Sequence, residues 1–180
     1  KSRAIWIVLA AGFALRLAWF AFVKNEPVSD FANYHELATG LHHGLGYTLN
    51  ALEAPDPYFR QTDTPPFVTA YRAPGTAFWG FALYSLSGPT PAAFQIMNIF
   101  LSLGTGLLLA DAVDPRFKKG LGPDILILWT LYPSSIAAVN LVGSGPLFSF
   151  LLALTAWLAT HDRIPLAGLA AAASVLTRVM

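Results

Sequence analysis

Residues 91–110 read PAAFQIMNIFLSLGTGLLLA, a run with no charged side chain. The hydrocarbon core of a bilayer is about 30 Å thick, and a helix needs about 20 residues to cross it. In lipid every backbone N–H and C=O must be satisfied inside the protein, so a lone spanning segment has to be helical. The run therefore predicts a membrane-crossing helix near 91–113. Working outward, similar apolar stretches lie near 4–23, with Arg16 as their one interruption, and near 124–142, 147–160 and 164–180. The expected fold class is all-α, a multi-pass transmembrane helical protein with about five spans.

The composition agrees. Of 180 residues, 55% are hydrophobic and 12% charged, and mean hydropathy is +0.54. A soluble domain carries about 25% charged residues, so a soluble enzyme and a disordered chain are excluded. A net charge of +1 provides no basic field for a polyanion, which excludes a nucleic-acid partner. The absence of cysteine excludes disulfides, thiolate metal sites and a cysteine nucleophile.

Charge distribution sets an expected orientation. Lys1 and Arg3 precede the first span, Arg116, Lys118 and Lys119 follow the second, and Arg163 follows the fourth. With alternating crossings these fall on one side, which the positive-inside rule makes cytoplasmic. The loop 24–90 is then extracytoplasmic and carries Glu26, Asp30, Glu36, Glu53, Asp56 and Asp63. Cleavage of the first span as a signal peptide is disfavoured, because no Ala-x-Ala site precedes Lys24. The missing initiator methionine and the ending inside an apolar run lead us to expect a longer chain.

The long outer loop holds the candidate chemistry. Ser29 is an expected N-cap and Asp30 a favourable first-turn acid. Phe31, Tyr34, Leu37, Ala38 and Leu41 recur at helical spacing until Gly40, Gly44 and Gly46, predicting an amphipathic surface helix near 30–43. Pro55, Pro57, Pro65 and Pro66 make 50–70 irregular. Pro74 opens a second surface helix near 74–87, too short to span.

Asp30 is the leading candidate for a catalytic base, against the alternative of an ordinary helix-start aspartate. Glu36 is the second acid, against that of a solvated face. His35 and His42 share a helix face and invite a metal reading with Asp30, but no recognised ligand spacing accompanies them. Interfacial histidines that bind phosphate, or bind nothing, are the stronger reading, which makes His42 and His43 candidate phosphate contacts. Arg72, ahead of Pro74, suits a phosphate oxygen pair, or else snorkels to the interface. Lys24 is a further outer cation. Arg16 inside a span is either functional or reaches the outer interface.

Several short motifs occur in a specific order: Ser29-Asp30 with Tyr34, Gly44-Leu45-Gly46-Tyr47, Tyr71-Arg72-Ala73-Pro74-Gly75, Gln95 with Asn98, and Leu131-Tyr132-Pro133. The layout resembles the N-terminal membrane module of the GT-C glycosyltransferases, nearest to bacterial relatives of protein mannosyltransferases and the lipid A aminoarabinose transferase. The resemblance covers nearly the whole chain. It implies an inverting transferase in a bacterial cytoplasmic (inner) membrane. Such an enzyme moves a sugar from a polyprenyl-phosphate donor to a lipid, glycan or protein acceptor on the outer face.

Under that resemblance Asp30 acts on the acceptor, with Glu36 in reserve. Arg72, Lys24, His42 and His43 contact the donor phosphate, and Tyr34 and Tyr71 line a lipid or sugar pocket. The family's Leu-Thr-Arg falls on Leu176-Thr177-Arg178. No cofactor is implied, and a divalent metal stays open. One departure stands out: where members of that family often carry a Ser-Glu-Pro-like step in the second outer loop, this chain has Ser144-Gly145-Pro146. That departure keeps a second reading in play, a non-catalytic protein that handles or assembles lipid-linked glycans. A transporter fragment is the third reading, opposed by the lack of an internal repeat.

Overall fold

The computed structural model describes residues 2–24, 26–49, 67–68, 72–117 and 120–178. In chain order its helices are α1 (Ser2–Phe22), α2 (Asp30–His42), α3 (Pro74–Ser87), α4 (Pro91–Val113), α5 (Leu121–Leu131), α6 (Pro133–Ala137), α7 (Ser144–Thr160) and α8 (Ile164–Thr177). Between α2 and α3, β1 (Thr48–Leu49) pairs antiparallel with β2 (Phe67–Val68). The protein is thus essentially all-α. Two of the helices, α1 and α4, are long and apolar enough to cross a membrane, and α5, α7 and α8 are shorter apolar helices.

Side-chain contacts fix the helix directions. Along α1, Gly12 and Arg16 meet Thr130, while Val23, just past its end, meets Asn140. The path from α5 to 140 therefore runs parallel to α1. Along α4, Asn98 reaches Leu141, Gly104 faces Phe150 and Asp111 accepts from Trp157. So α4 runs antiparallel to α1 and parallel to α7, and α8 packs back along α7. One end of the molecule gathers the turns after α4 and α7. The other end gathers the exit of α1, the surface pair α2–α3, the 138–144 segment and the end of α8.

The third expected span is not one helix. The stretch near 124–142 breaks at Tyr132, which is extended (φ −66°, ψ 117°), and continues as α6 and a 3-10 turn, Ala138–Asn140. Pro133 explains the break. It has no N–H for the carbonyl four residues earlier, and it drives the residue before it out of the helical region. Side chains from other helices satisfy the freed groups. The buried Arg16 guanidinium donates to the carbonyls of Trp129 (3.4 Å) and Thr130 (3.3 Å) and to the hydroxyls of Ser102 (3.0 Å) and Ser135 (2.9 Å). Asn98 Nδ2 donates to Leu141 O at 2.8 Å, and Gln95 Nε2 donates to Asn140 O at 3.1 Å. Arg16 therefore neither snorkels nor lines a path. It is fully buried and caps a broken helix.

The surface pair α2–α3 seats on the bundle through Ala38, Leu83, Tyr84, Phe94 and Val142, while Leu37, Ala77 and Leu49 of β1 form a second cluster that joins the two helices to the ladder. Both helices match their expected positions. Ser29 does not act as the expected side-chain cap. It makes no capping hydrogen bond and takes φ 52°, ψ −129°, a costly conformation for a non-glycine residue. The chain bends sharply there and presents Asp30 on the first turn of α2.

Candidate functional site

A cleft of about 430 Å³ opens between the start of α2, the residues before α3, the 138–146 segment and the end of α8. Asp30, Tyr34, Arg72, Ser144, Gly145 and Arg178 are among the residues that line it. Asp30 and Tyr34 lie within about 40° of each other around α2, so one helix face presents both. Asp30 and Arg72 form an ion pair, with the Arg72 side chain 14% exposed and that of Asp30 55% exposed.

Three local devices bring Arg72 here. The β1–β2 ladder returns the chain toward α2. Tyr47, from the Gly-Leu-Gly-Tyr motif, donates its hydroxyl hydrogen to Arg72 O at 2.9 Å. Burial pushes the Tyr47 hydroxyl up to about 12, so it keeps that proton at neutral pH. Finally, Gly75 lets α3 start against the end of α8. A Cβ at Gly75 would fall 2.6 Å from Leu176 O, and Thr76 Oγ1 donates to Thr177 O at 3.0 Å. The Ala-Pro-Gly step thus sets Arg72 beside the segment that carries Arg178.

Tyr34 is buried. Burial raises its hydroxyl above the ordinary value, while a hydrogen bond with Ser144 and the charge of Arg72 pull the other way. Its hydroxyl therefore keeps its proton. Arg178 is exposed, with Cζ 5.8 Å from the Phe148 ring centroid, a cation–π contact. Two guanidiniums against one carboxylate give the cleft a cationic character suited to an anion. At Gly145 a Cβ would meet nothing within 4 Å, so the cleft has free space over this residue.

The other expected site residues are placed elsewhere. Glu36 is about 120° around α2 from Asp30. It lines a separate depression with Glu26, His35 and Thr39. His42 and His43 touch ring to ring, centroids 5.2 Å apart. They sit at the far end of α2, about 18 Å from Asp30 along the axis. Lys24 is exposed just after α1 and is not among the cleft residues. Tyr71 lies outside the described residues. His35 Nδ1 is 2.6 Å from Tyr84 Oη, and burial lowers its pKa. Among the described residues no three His, Asp or Glu side chains converge as a metal-binding group.

The sequence reading did not single out Ser144 or the role of Tyr47. Tyr47 carried a signal, since an aromatic after Gly-Leu-Gly has its hydroxyl free to bond a backbone. Ser144 carried none apart from its place beside Gly145. No family model, curated protein or solved structure matches the chain.

Proposed function

We propose that this protein is a GT-C-type membrane glycosyltransferase module that moves a sugar from a polyprenyl-phosphate donor to an acceptor hydroxyl on the extracytoplasmic face of a bacterial cytoplasmic membrane. The observation that carries this reading is the convergence of Asp30, Arg72 and Arg178, distant in sequence, on one cleft.

In this mechanism the donor phosphate sits between Arg72 and Arg178. A phosphate bound there competes with Asp30 for Arg72 and so releases the carboxylate. Asp30 then accepts the proton of the acceptor hydroxyl. The acceptor oxygen bonds to the anomeric carbon as the bond from that carbon to the phosphate oxygen breaks. A single displacement of this kind inverts the configuration. Polyprenyl phosphate departs with the bonding electrons, and the two guanidiniums stabilise the charge that grows on it. Tyr34, tied to Ser144, bounds the sugar's side of the cleft.

A second reading, a non-catalytic protein that holds a lipid-linked glycan, is favoured by Gly145, which supplies no acid where members of the resembled family often carry one. One experiment separates the two. The protein is reconstituted in vesicles with a radiolabelled polyprenyl-phosphate hexose, and transfer and binding are measured for the parent, Asp30→Asn and Glu36→Gln. The enzyme reading expects Asp30→Asn to lose about 10² or more in rate with donor binding retained, and Glu36→Gln to stay near the parent. Parental transfer by folded Asp30→Asn rejects Asp30 as base. Donor binding with no transfer by the parent itself favours the holding protein.

A further inference from the structure

The two surface helices meet through a polar contact set in an apolar seat. His35 Nδ1 of α2 lies 2.6 Å from Tyr84 Oη of α3, with the rings edge to face and their centroids 5.6 Å apart. Tyr84 is fully buried, and its ring stands edge-on against Phe94 of α4, centroids again 5.6 Å apart. Ala38, Leu83 and Val142 pack in the same cluster, and their side chains offer no polar atom. Among the described residues the Tyr84 hydroxyl has no second hydrogen-bond partner.

These surroundings fix the protonation states. Burial raises the Tyr84 hydroxyl well above its ordinary value, so it keeps its proton at neutral pH and donates it to Nδ1. A neutral imidazole that accepts at Nδ1 carries its own hydrogen on Nε2. The other tautomer would set Nδ1–H against the Tyr84 oxygen and leave the O–H without an acceptor. A second proton makes both ring nitrogens donors. Nδ1–H then faces a hydroxyl whose own hydrogen has nowhere else to go, in a seat too apolar to solvate the charge. Burial accordingly lowers the His35 pKa, with the Glu36 charge opposing in part. Charged groups near His35 lie only on one side of this balance. It lines a depression with Glu26, from the turn before α2, and with Glu36 of its own helix. The facing α3 brings Tyr84 and no charged side chain, and neither 91–110 of α4 nor the 138–144 segment carries one. An imidazolium therefore finds carboxylates in the depression and none in the seat.

We infer that the His35–Tyr84 contact is a pH-sensitive latch, which holds α2 on α3 at neutral pH and lets go when His35 is protonated and turns to Glu26 and Glu36. The inference rests on the reading of the cleft proposed above and adds its regulation. The coupling is geometric. Asp30 and Tyr34 are on α2, whereas Arg72 shortly precedes α3, so the latch and the Asp30–Arg72 pair tie the same two elements together. His35 follows Asp30 by five residues, about 7.5 Å along the helix axis. Release of the latch shifts α2 against α3 and draws Asp30 away from Arg72. His35 is thus a positioning residue: the cleft is assembled at neutral pH and pulled apart in acid. In the proposed orientation this face meets the pH of the external medium.

The first part of the test needs no substrate. The chain has no cysteine, so spin labels on Val28→Cys and Leu86→Cys, both exposed positions, report the distance between the entry of α2 and the end of α3. Pulsed electron paramagnetic resonance in nanodiscs reads that distance at about pH 7.5 and about pH 5, on either side of the ordinary histidine value. The labelled protein is compared with His35→Gln, whose amide accepts from Tyr84 and does not titrate, and with Glu26→Gln/Glu36→Gln. The expected result is one shared distance at neutral pH. In acid the labelled parent gains a second, longer distance whose share rises about tenfold, the scale of one buried hydrogen bond lost. His35→Gln keeps the neutral distance, and the double glutamine variant gains less of the longer one. An unchanged distance in the labelled parent, which needs no further variant to fold, overturns the latch. So does the same acid response in His35→Gln. The second part follows sugar transfer in vesicles over the same pH range. A loss of rate that tracks the longer distance, and is smaller in His35→Gln, supports the link to the cleft. Equal pH profiles in the two proteins, with the latch opening as expected, overturn that link. A latch that opens in a protein with no transfer at any pH leaves the latch standing and rejects the enzymatic reading alone.

Discussion

Arg72 stands at the centre of the side-chain chemistry because its carbonyl, its neighbours and its guanidinium are all used. Tyr47 holds its backbone, Gly75 sets its distance from α8, and Asp30 pairs with its head. With Asp30 more than half exposed, the pair contributes about 1 kcal/mol or less to folding. A phosphate held by the planar fork gains about 1.5–3 kcal/mol from charged hydrogen bonds. Arg72→Ala should therefore weaken polyprenyl-phosphate binding about 10- to 100-fold while the melting temperature stays near the parent's. Arg72→Lys should recover little of it, because an ammonium lacks the bidentate geometry. Titration of the three proteins with the same lipid decides this, and equal affinities remove Arg72 from the site. A second residue-scale expectation concerns His35. Burial lowers its pKa in the folded state, partly opposed by Glu36, so the unfolded chain binds the proton more readily. Its contribution to stability is present above the unfolded value of about 6.5 and is lost as pH falls through the lower folded value. The drop in melting temperature from about pH 7.5 to about pH 5 should be larger in the parent than in His35→Gln, and identical drops refute the assignment.

Among the elements, the broken helix between α5 and α6 shapes the cleft most directly, since Ala138 and Leu141 reach the cleft only because the chain leaves helical geometry at Tyr132. Irregular backbone of this kind persists in an apolar interior only when protein groups satisfy it. Arg16 does so for Trp129 and Thr130, and Asn98 for Val139 and Leu141. Arg16→Met keeps length and removes every donor. Trp129 O keeps Ser135 Oγ as a donor, but Thr130 O loses the guanidinium, and a carbonyl left without a partner costs about 1–3 kcal/mol, so the variant should melt below the parent in detergent. Arg16→Lys, with one head for several acceptors, should fall between. A parental melting curve for Arg16→Met would show that water or backbone rearrangement replaces the guanidinium. Much of this scale was legible in the sequence. Pro74 and Pro91 open α3 and α4 at the expected positions, and the apolar spacing from Phe31 to Leu41 marked α2. The break at Tyr132 was carried by Pro133, but hydropathy averages over such a step and returned one span. The partners of Arg16 were not legible, because its acceptors outside α1 lie 86 to 119 residues away and include the backbone carbonyls of Trp129 and Thr130, which no side-chain pattern advertises. The Asp30–Arg72 pairing shared this limit. Each residue was conspicuous alone, but the ladder and the Gly75 contact that join them are long-range facts.

At the level of the whole molecule, helix direction and charge agree. Arg3, Arg116 and Arg163 fall at one end of the bundle, where the turns after α4 and α7 gather. Glu26, Asp30 and Glu36 fall at the other, with the cleft. The helices that carry this polarity alternate in direction, and α3 does not take part. At 14 residues it spans about 21 Å, short of the roughly 30 Å hydrocarbon core, and it lies against α2. If α3 crossed a membrane, the ends defined by α4 onward would exchange sides relative to α1, and the basic residues would be split between the two faces. The contacts of Val23 with Asn140 and of Gly75 with Leu176 oppose that arrangement, because they join segments that it would place on opposite surfaces. The chain has no cysteine, so single cysteines report cleanly. Glu26→Cys and Asp162→Cys, expressed in intact cells and treated with a membrane-impermeant maleimide, should differ: the first labels from outside, the second only after the membrane is opened. Arg178→Cys should behave like Glu26→Cys, since the end of α8 shares the cleft with Arg72. Outside labelling at residue 162 together with residue 26 would break the alternation and put the cleft's two arginines on surfaces that cannot meet.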